Sequence, residues 1–248
     1  MITITHLTVA YDGKLALQDA NLIIPTGAIS GLIGMNGSGK STLFKSIMGF
    51  VKPLTGQVAI NQAPIRQAQK QGLVAYVPQS EDVDWNFPVS VWDVVMMGRY
   101  GYMNFLRIPS TRDRQRVRDS LERVQLWDLR DRQIGELSGG QKKRAFLARA
   151  LAQEALILLL DEPFTGVDFK TEKAIIDLLL DLRQQGRTIL ISSHDLASIT
   201  TFADQLVFVN KTVLAYGATS EVFTEANLAR TFGGTAIDLS RFQRQTQG

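Results

Sequence analysis

Residues 34–41 read Gly34-Met35-Asn36-Gly37-Ser38-Gly39-Lys40-Ser41, with Thr42 next. Glycines at this spacing let a backbone wrap an anion and turn its N–H groups onto it, with Asn36 and Ser38 inside the loop. Lys40 reaches β- and γ-phosphates as a point charge, the Ser41 hydroxyl is an oxygen ligand for Mg²⁺, and Thr42 stays close to an α-phosphate. The plain alternative is a Gly-rich turn, which the flanking strand and helix patterns disfavour. A second constellation is Asp161-Glu162, directly after an aliphatic run over 155–160. Open α/β sheets hold ligands at the carboxyl ends of their strands, so Asp161 is placed to hold Mg²⁺ through water and Glu162 to polarise a water attacking a γ-phosphate. A strand that ends in acids because it has reached solvent is the competing explanation. The third is Leu137-Ser138-Gly139-Gly140-Gln141. Ser138 and Gln141 have the spacing of a helix capping box, but the box leaves two adjacent glycines in a first turn unexplained. Glycines at a positive helix end admit an anion, and this chain already has its own phosphate loop. The second anion site therefore points to a phosphate bound by another copy.

These residues need a scaffold that ends strands in loops on one edge. Alternation of Ile2 and Ile4 with Thr3 and Thr5 predicts a half-buried antiparallel strand over 1–10, and 21–25 predicts another. Strands at 28–33, 57–60 and 73–77 and a helix over 40–48 follow. From about 80 to 136 strand patterns vanish and helical periodicity takes over at 91–98 and 111–126, which reads as an inserted helical subdomain. The arginines between Arg112 and Arg123 interleave with Asp113, Asp119 and Glu122, the pattern of a solvated helix face. Strand and helix alternation resumes with helices at 139–153, 170–184, 196–202 and 220–223 and strands at 155–160, 188–191, 205–209 and 213–216. Unbroken Leu156-Ile157-Leu158-Leu159-Leu160 suits a parallel strand buried on both faces. The polar tail over 238–248 is read as frayed.

The 248 residues suffice for one α/β domain carrying a subdomain but not for two nucleotide-binding domains in tandem. A net charge of +3 is too small and dispersed to argue for nucleic acid, and 45% hydrophobic residues support a buried core. The chain has no cysteine, so neither a disulfide framework nor a thiolate metal site exists. Its aliphatic stretches fall far short of the roughly 20 residues of a membrane span, and the N-terminus lacks a signal-peptide pattern. The expectation is a soluble chain whose membrane role comes through a partner.

The loop at 34–41, Gln79 in Val77-Pro78-Gln79, the Leu-Ser-Gly-Gly-Gln run, Asp161-Glu162, Asp168 and His194 occur in that order, and together resemble the ATPase subunit of ABC transporters. The resemblance covers nearly the whole chain. It implies a P-loop α/β core with an antiparallel β subdomain and an inserted α-helical subdomain: core and β part over 1–79 and 137–224, helical subdomain over 80–136, extension over 225–248. It implies ATP and Mg²⁺, with Tyr11 stacking on adenine and Gln79 as the lid residue that senses Mg²⁺ and the membrane partner. Asp168 becomes the loop residue that communicates across a dimer, and His194 the switch at the γ-phosphate, acting with Glu162 and Lys40. Two departures stand out: Met35 where many members carry Pro, and Phe164-Thr165-Gly166-Val167-Asp168 in place of a Ser-Ala-Leu-Asp loop.

Within the family, residues 76–90, 93–101, 146–153 and 164–168 are similar to the manganese and zinc importer ATPases. The implied partners are a second copy in a head-to-tail ATP sandwich, an integral membrane permease and, indirectly, an extracytoplasmic metal-binding protein, with no nucleic acid. The implied location is peripheral, on the cytoplasmic face of the inner membrane. Manganese leads as the cargo, with zinc or iron chelate as the alternative. A soluble ABC ATPase acting in assembly or on nucleic acid is the runner-up. A nucleotide-binding module without catalysis falls behind because Glu162 and His194 are both present. Trp85, Phe87, Trp92, Met96, Met97, Tyr100, Tyr102 and Phe105 make an apolar density beside Gln79 that suggests a groove for a short permease helix, although Trp92 and Met96 share one helix face and suit the subdomain's own core.

Overall fold

The computed structural model describes residues 1–79 and 87–233. Trp85 and the rest of the stretch 80–86, and the tail over 238–248, lie outside the described residues. Among the described residues two sheets form. Strands β1 (Ile2–Tyr11), β2 (Lys14–Ile24), β4 (Thr55–Ile60) and β5 (Ala63–Pro64) make an antiparallel sheet of order β2-β1-β4-β5. Strands β3 (Ile29–Ile33), β6 (Val74–Val77), β7 (Ile157–Asp161), β8 (Thr188–Ser193), β9 (Gln205–Val209) and β10 (Val213–Ala218) make the other, of order β10-β9-β3-β8-β7-β6. It is parallel apart from the β9–β10 pair.

The parallel strands divide their side chains between two cores with a period of two. Ile29 and Ile33, Leu158 and Leu160, Ile189 and Ile191 face one cluster, while Leu32, Leu159 and Leu190 face the other. The first cluster is completed by α5 (Gly139–Ala152), α6 (Phe169–Gln184), α7 (Leu196–Phe202) and the helices α3 (Val91–Met96) and α4 (Thr111–Arg123). The second is completed by β1, β2, α1 (Lys40–Ile47) and α2 (Ile65–Lys70). The parallel sheet is thus covered on both sides, which is why its strands are apolar without alternation.

Several elements depart from the sequence pattern. Strand β2 begins at Lys14, not at 21, because its first half pairs with β1 through Leu17↔Val9 and Leu15↔Ala10. The β1 pattern slips after Ile4, where His6 takes a left-handed φ of 49° and its ring meets the Asp19 carboxylate, so that Leu7 rather than His6 turns inward. The helix expected over 91–98 is α-helical only to Met96 and tightens into a 3₁₀ segment over Met97–Tyr102. At this point the backbone comes close to α5, since a Cβ at Gly98 would clash with the Arg149 carbonyl. Helix α2 and helix α9 (Glu225–Phe232), which follows α8 (Thr219–Val222), are additions to the helices expected from the sequence. No helix among the described residues is long and apolar enough to cross a membrane.

Candidate functional site

Parallel pairing of β3 with β8 and of β8 with β7 brings three strand ends to one edge: Ile33, Ser193 and Asp161. The loop leaving β3 closes on itself through a Ser38 N–H bond to the Met35 carbonyl at 3.1 Å. Gly37 and Gly39 have φ of 78° and 107°, the left-handed region where a side chain is strained. A Cβ at Gly39 would also stand 2.6 Å from Leu17 Cδ2 of β2, so the antiparallel sheet presses directly on the loop. Lys40 is buried, and its ammonium donates to the carbonyls of Gly34 (2.8 Å) and Met35 (3.1 Å). Burial pushes the Lys40 ammonium below its usual range, opposed by the Glu162 and Asp161 carboxylates. Ser38 Oγ is buried without a hydrogen-bond partner among the described residues. A buried orphan hydroxyl, a constrained lysine and a glycine with open space at Gly37 fit a bound phosphate chain. Ser41 is exposed and Thr42 is buried on the first turn of α1, while Gly34 is packed against Ser38 and the Val209 carbonyl.

Asp161 is the last residue of β7 and is buried. Ser192 Oγ donates to its Oδ1 at 2.6 Å, and Tyr76 OH to its Oδ2 at 3.2 Å. Glu162 leaves the strand with a left-handed φ of 48°, and its N–H donates to Ser192 Oγ at 2.9 Å. Lys143 of α5 clamps the same turn, donating to the carbonyls of Glu162 (2.9 Å) and Thr165. Around the Glu162 carboxylate, Oε2 accepts from Gln79 Nε2 at 3.4 Å and Thr165 Oγ1 at 3.2 Å, and lies 3.6 Å from His194 Nδ1. Gln79, Glu162 and His194 are therefore brought together, with Gln79 on Glu162 rather than on Asp161. A cavity of about 180 Å³ opens beside them, lined by Glu162, Thr165, Ser193 and His194 among others.

The Ser138 run caps α5 as a complete box: Gln141 N–H donates to Ser138 Oγ (3.3 Å) and Ser138 N–H to Gln141 Oε1 (2.9 Å). Its glycines face the loop after β7 and not the loop at 34–41. A Cβ at Gly139 would find only the Gly166 carbonyl, at 3.8 Å, and one at Gly140 would find Val167 and Thr171. Asp168 caps α6, accepting from Thr171 N–H (2.9 Å) and Oγ1 (2.7 Å). The Thr171 bonds hold the Asp168 carboxyl below its usual range. Tyr11 stands exposed at the β1–β2 turn, paired in register with Lys14.

Sequence reasoning missed Ser192, Tyr76, Lys143 and Thr165. The Ser192 role depends on the Asp161↔Ser192 register of two strands distant in the chain, which no local pattern encodes. No group of three or more His, Cys, Asp or Glu converges as a metal cage among the described residues. The donor set instead suits Mg²⁺, which is held through one or two carboxylates together with substrate phosphates.

Known proteins share the sequence and fold of this chain. The ABC transporter family model matches residues 17–165. The chain is 64% identical over 234 residues, covering 94% of it and 90% of the relative, to the manganese transport system ATP-binding protein MntA of Synechocystis. It is 60% identical, covering 94% of it and 79% of the relative, to the chelated iron transport system membrane protein YfeB of Yersinia pestis. Its structure matches a bacterial ABC transporter cassette solved as a dimer with a TM-score of 0.78 at 25% identity, covering 88% of this chain and 99% of that one. With the family model over residues 17–165 and these relatives, the chain belongs to the ABC transporter family as an ATP-binding subunit.

Proposed function

We propose that this subunit hydrolyses ATP to energise a membrane importer of divalent metal ions, with manganese as the cargo. The observation that carries the hydrolytic reading is the pair Asp161 and Glu162 at the end of β7, whose carboxylates bear electrostatically on Lys40 of the phosphate loop. Lys40 and the loop N–H groups bind phosphate, and Lys40 exchanges its carbonyl partners for phosphate oxygens. Ser41, Asp161 and Gln79 would hold Mg²⁺, which supplies charge neutralisation of the phosphates. Glu162 orients the attacking water and takes its proton at Oε2, and His194 lies close enough to bridge that carboxylate to the γ-phosphate side. Tyr11 would stack on the adenine.

The exposed Gly139 and the half-buried Gly140 at the start of α5 support a second copy as partner, each chain offering Ser138, Gly139 and Gly140 to the nucleotide of the other, with Asp168 communicating across. A groove of about 660 Å³ between α1, β6, α5 and the 3₁₀ segment supports docking of a short permease helix. Its apolar wall includes Met48, Phe50, Tyr76, Pro78 and Met97. Tyr100 is not in that wall: it is exposed, with the Arg107 guanidinium over its ring. Met96 is buried and Trp92 packs on Trp127, so these two fill the core. The location that follows is the cytoplasmic face of the inner membrane, held through the permease. The manganese assignment is supported by the 64% identical relative, and iron is favoured as the alternative by the 60% identical one.

The test is reconstitution with the permease and its binding protein in vesicles, with Mn²⁺, Zn²⁺ and Fe²⁺ compared for uptake and ATPase stimulation. Manganese is expected to give the largest response, and equal or greater stimulation by another ion overturns the assignment. Glu162→Gln in the same assembly is expected to retain ATP binding and lower turnover by about two to four orders of magnitude. Turnover at the original rate removes Glu162 from the chemistry.

A further inference from the structure

Tyr76 belongs at once to the metal-side carboxylate and to the groove. It is the third residue of β6, the edge strand beside β7, in register with Leu159. Its ring packs on Phe44 of α1, with centroids 6.1 Å apart, and lines the groove next to Met48 and Pro78. Its hydroxyl reaches Asp161 Oδ2, at the end of β7, at 3.2 Å, while Ser192 from β8 holds Oδ1 at 2.6 Å. The two oxygens are therefore gripped from the strands on either side of β7. A carboxylate held at one oxygen can rotate about its terminal torsion, whereas one held at both is locked in a single plane.

We infer that Tyr76 is a positioning residue for the magnesium-side carboxylate, its hydroxyl fixing the orientation of Asp161 jointly with Ser192. This rests on the reading of Asp161 proposed above. The packing of the ring requires only an aromatic side chain; the hydroxyl is what the carboxylate uses. A phenol donating to a carboxylate adds a directional contact to the group, and outer partners of this kind commonly set metal affinity through the group they hold. Because the same ring walls the groove, the metal-side carboxylate and the groove share one side chain.

The test measures Mn²⁺, a paramagnetic substitute for Mg²⁺, by electron paramagnetic resonance on the full chain with ADP, where no hydrolysis intervenes. Tyr76→Phe keeps the ring and removes the hydroxyl. It is expected to weaken Mn²⁺ binding about tenfold, the lower end for an outer-shell partner, with metal-free ADP affinity unchanged. Asp161→Asn is measured alongside. If Asp161→Asn leaves Mn²⁺ binding unchanged, the reading of Asp161 fails. If Asp161→Asn weakens it and Tyr76→Phe does not, the Tyr76 inference is overturned. Parallel loss of metal-free ADP affinity in Tyr76→Phe also overturns it, since that marks a general distortion of the loop. Should Tyr76→Phe fail to fold, Tyr76→Met, which keeps an apolar side chain of similar reach, is held to the same outcomes.

Discussion

Ser192 is a small side chain with a large share of the site. One hydroxyl donates to Asp161 and accepts from the Glu162 N–H, so it joins a buried carboxylate to a turn whose non-glycine φ is 48°. A left-handed glutamate costs on the order of 1 kcal/mol or more, and it persists where neighbours over-determine it. Here Ser192 from one side and Lys143 from the other do so. Ser192→Ala changes volume little but leaves the Glu162 N–H unpaired and Asp161 short of one donor. It is expected to cost about 2 kcal/mol in urea unfolding and to lower ATPase turnover with little change in ATP affinity. Unaltered stability together with unaltered turnover would show that the hydroxyl is dispensable.

Among the elements, α3, α4 and α5 each start with a reciprocal capping box: Ser90 with Asp93, Ser110 with Asp113, and Ser138 with Gln141. The α4 box does more than cap. Asp113 is buried and also accepts from Arg99 at 2.9 Å, and Arg99 in turn reaches Glu154 and the Ala152 carbonyl at the end of α5. Arg99 thus ties the 3₁₀ segment to the start of α4 and the end of α5. The Ser110 hydrogen bonds, with Arg99 adding to them, hold the Asp113 carboxyl below its usual range against the opposing effect of burial. A carboxyl whose pKa is lowered by folding adds stability that is complete above its unfolded value and is lost as pH falls through the folded one. Asp113→Asn is therefore expected to destabilise the chain on the order of 3 kcal/mol at neutral pH, as for breaking a buried ion pair. The gap to the unmodified chain closes as pH is lowered below the ordinary carboxylate range. Thermal unfolding followed from pH 7 downward checks this, and a pH-independent gap contradicts it.

At the scale of the whole molecule, the glycines at the start of α5 lie nearest Gly166, Val167 and Thr171 after β7 and not the loop at 34–41 of their own chain. Gly139 has open space where a Cβ would go, and an acidic residue in the first turn favours the helix. Gly139→Asp is accordingly expected to leave monomer stability and monomer ATP affinity almost unchanged while abolishing ATP-dependent dimerisation, because it sets an anion against phosphate. Light scattering of the Glu162→Gln chain with and without this substitution measures the effect. Loss of monomer ATP affinity would instead place the run at its own chain's nucleotide. The split between sequence and structure follows the same lines of range. Local chemistry was legible along the chain: the glycines and Lys40 of the loop, the aliphatic strand ending in Asp161-Glu162, the Ser138 capping box and most helices depend on neighbours a few residues away. The family resemblance also lay in the order of these motifs. What the tertiary structure alone decided is who meets whom across strands: Ser192 on Asp161, Tyr76 on Asp161, Gln79 and His194 on Glu162, and Lys143 on the turn. It also decided that Met97 and not Tyr100 walls the groove, and where α3 gives way to a tighter helix under the Arg149 carbonyl. These contacts depend on a strand order that runs β3-β8-β7-β6 in space, out of chain sequence, and on the parallel register that sets Asp161 opposite Ser192. Local periodicity encodes which face of a strand is buried, but pairing partners and register emerge only when distant strands close one sheet over shared cores.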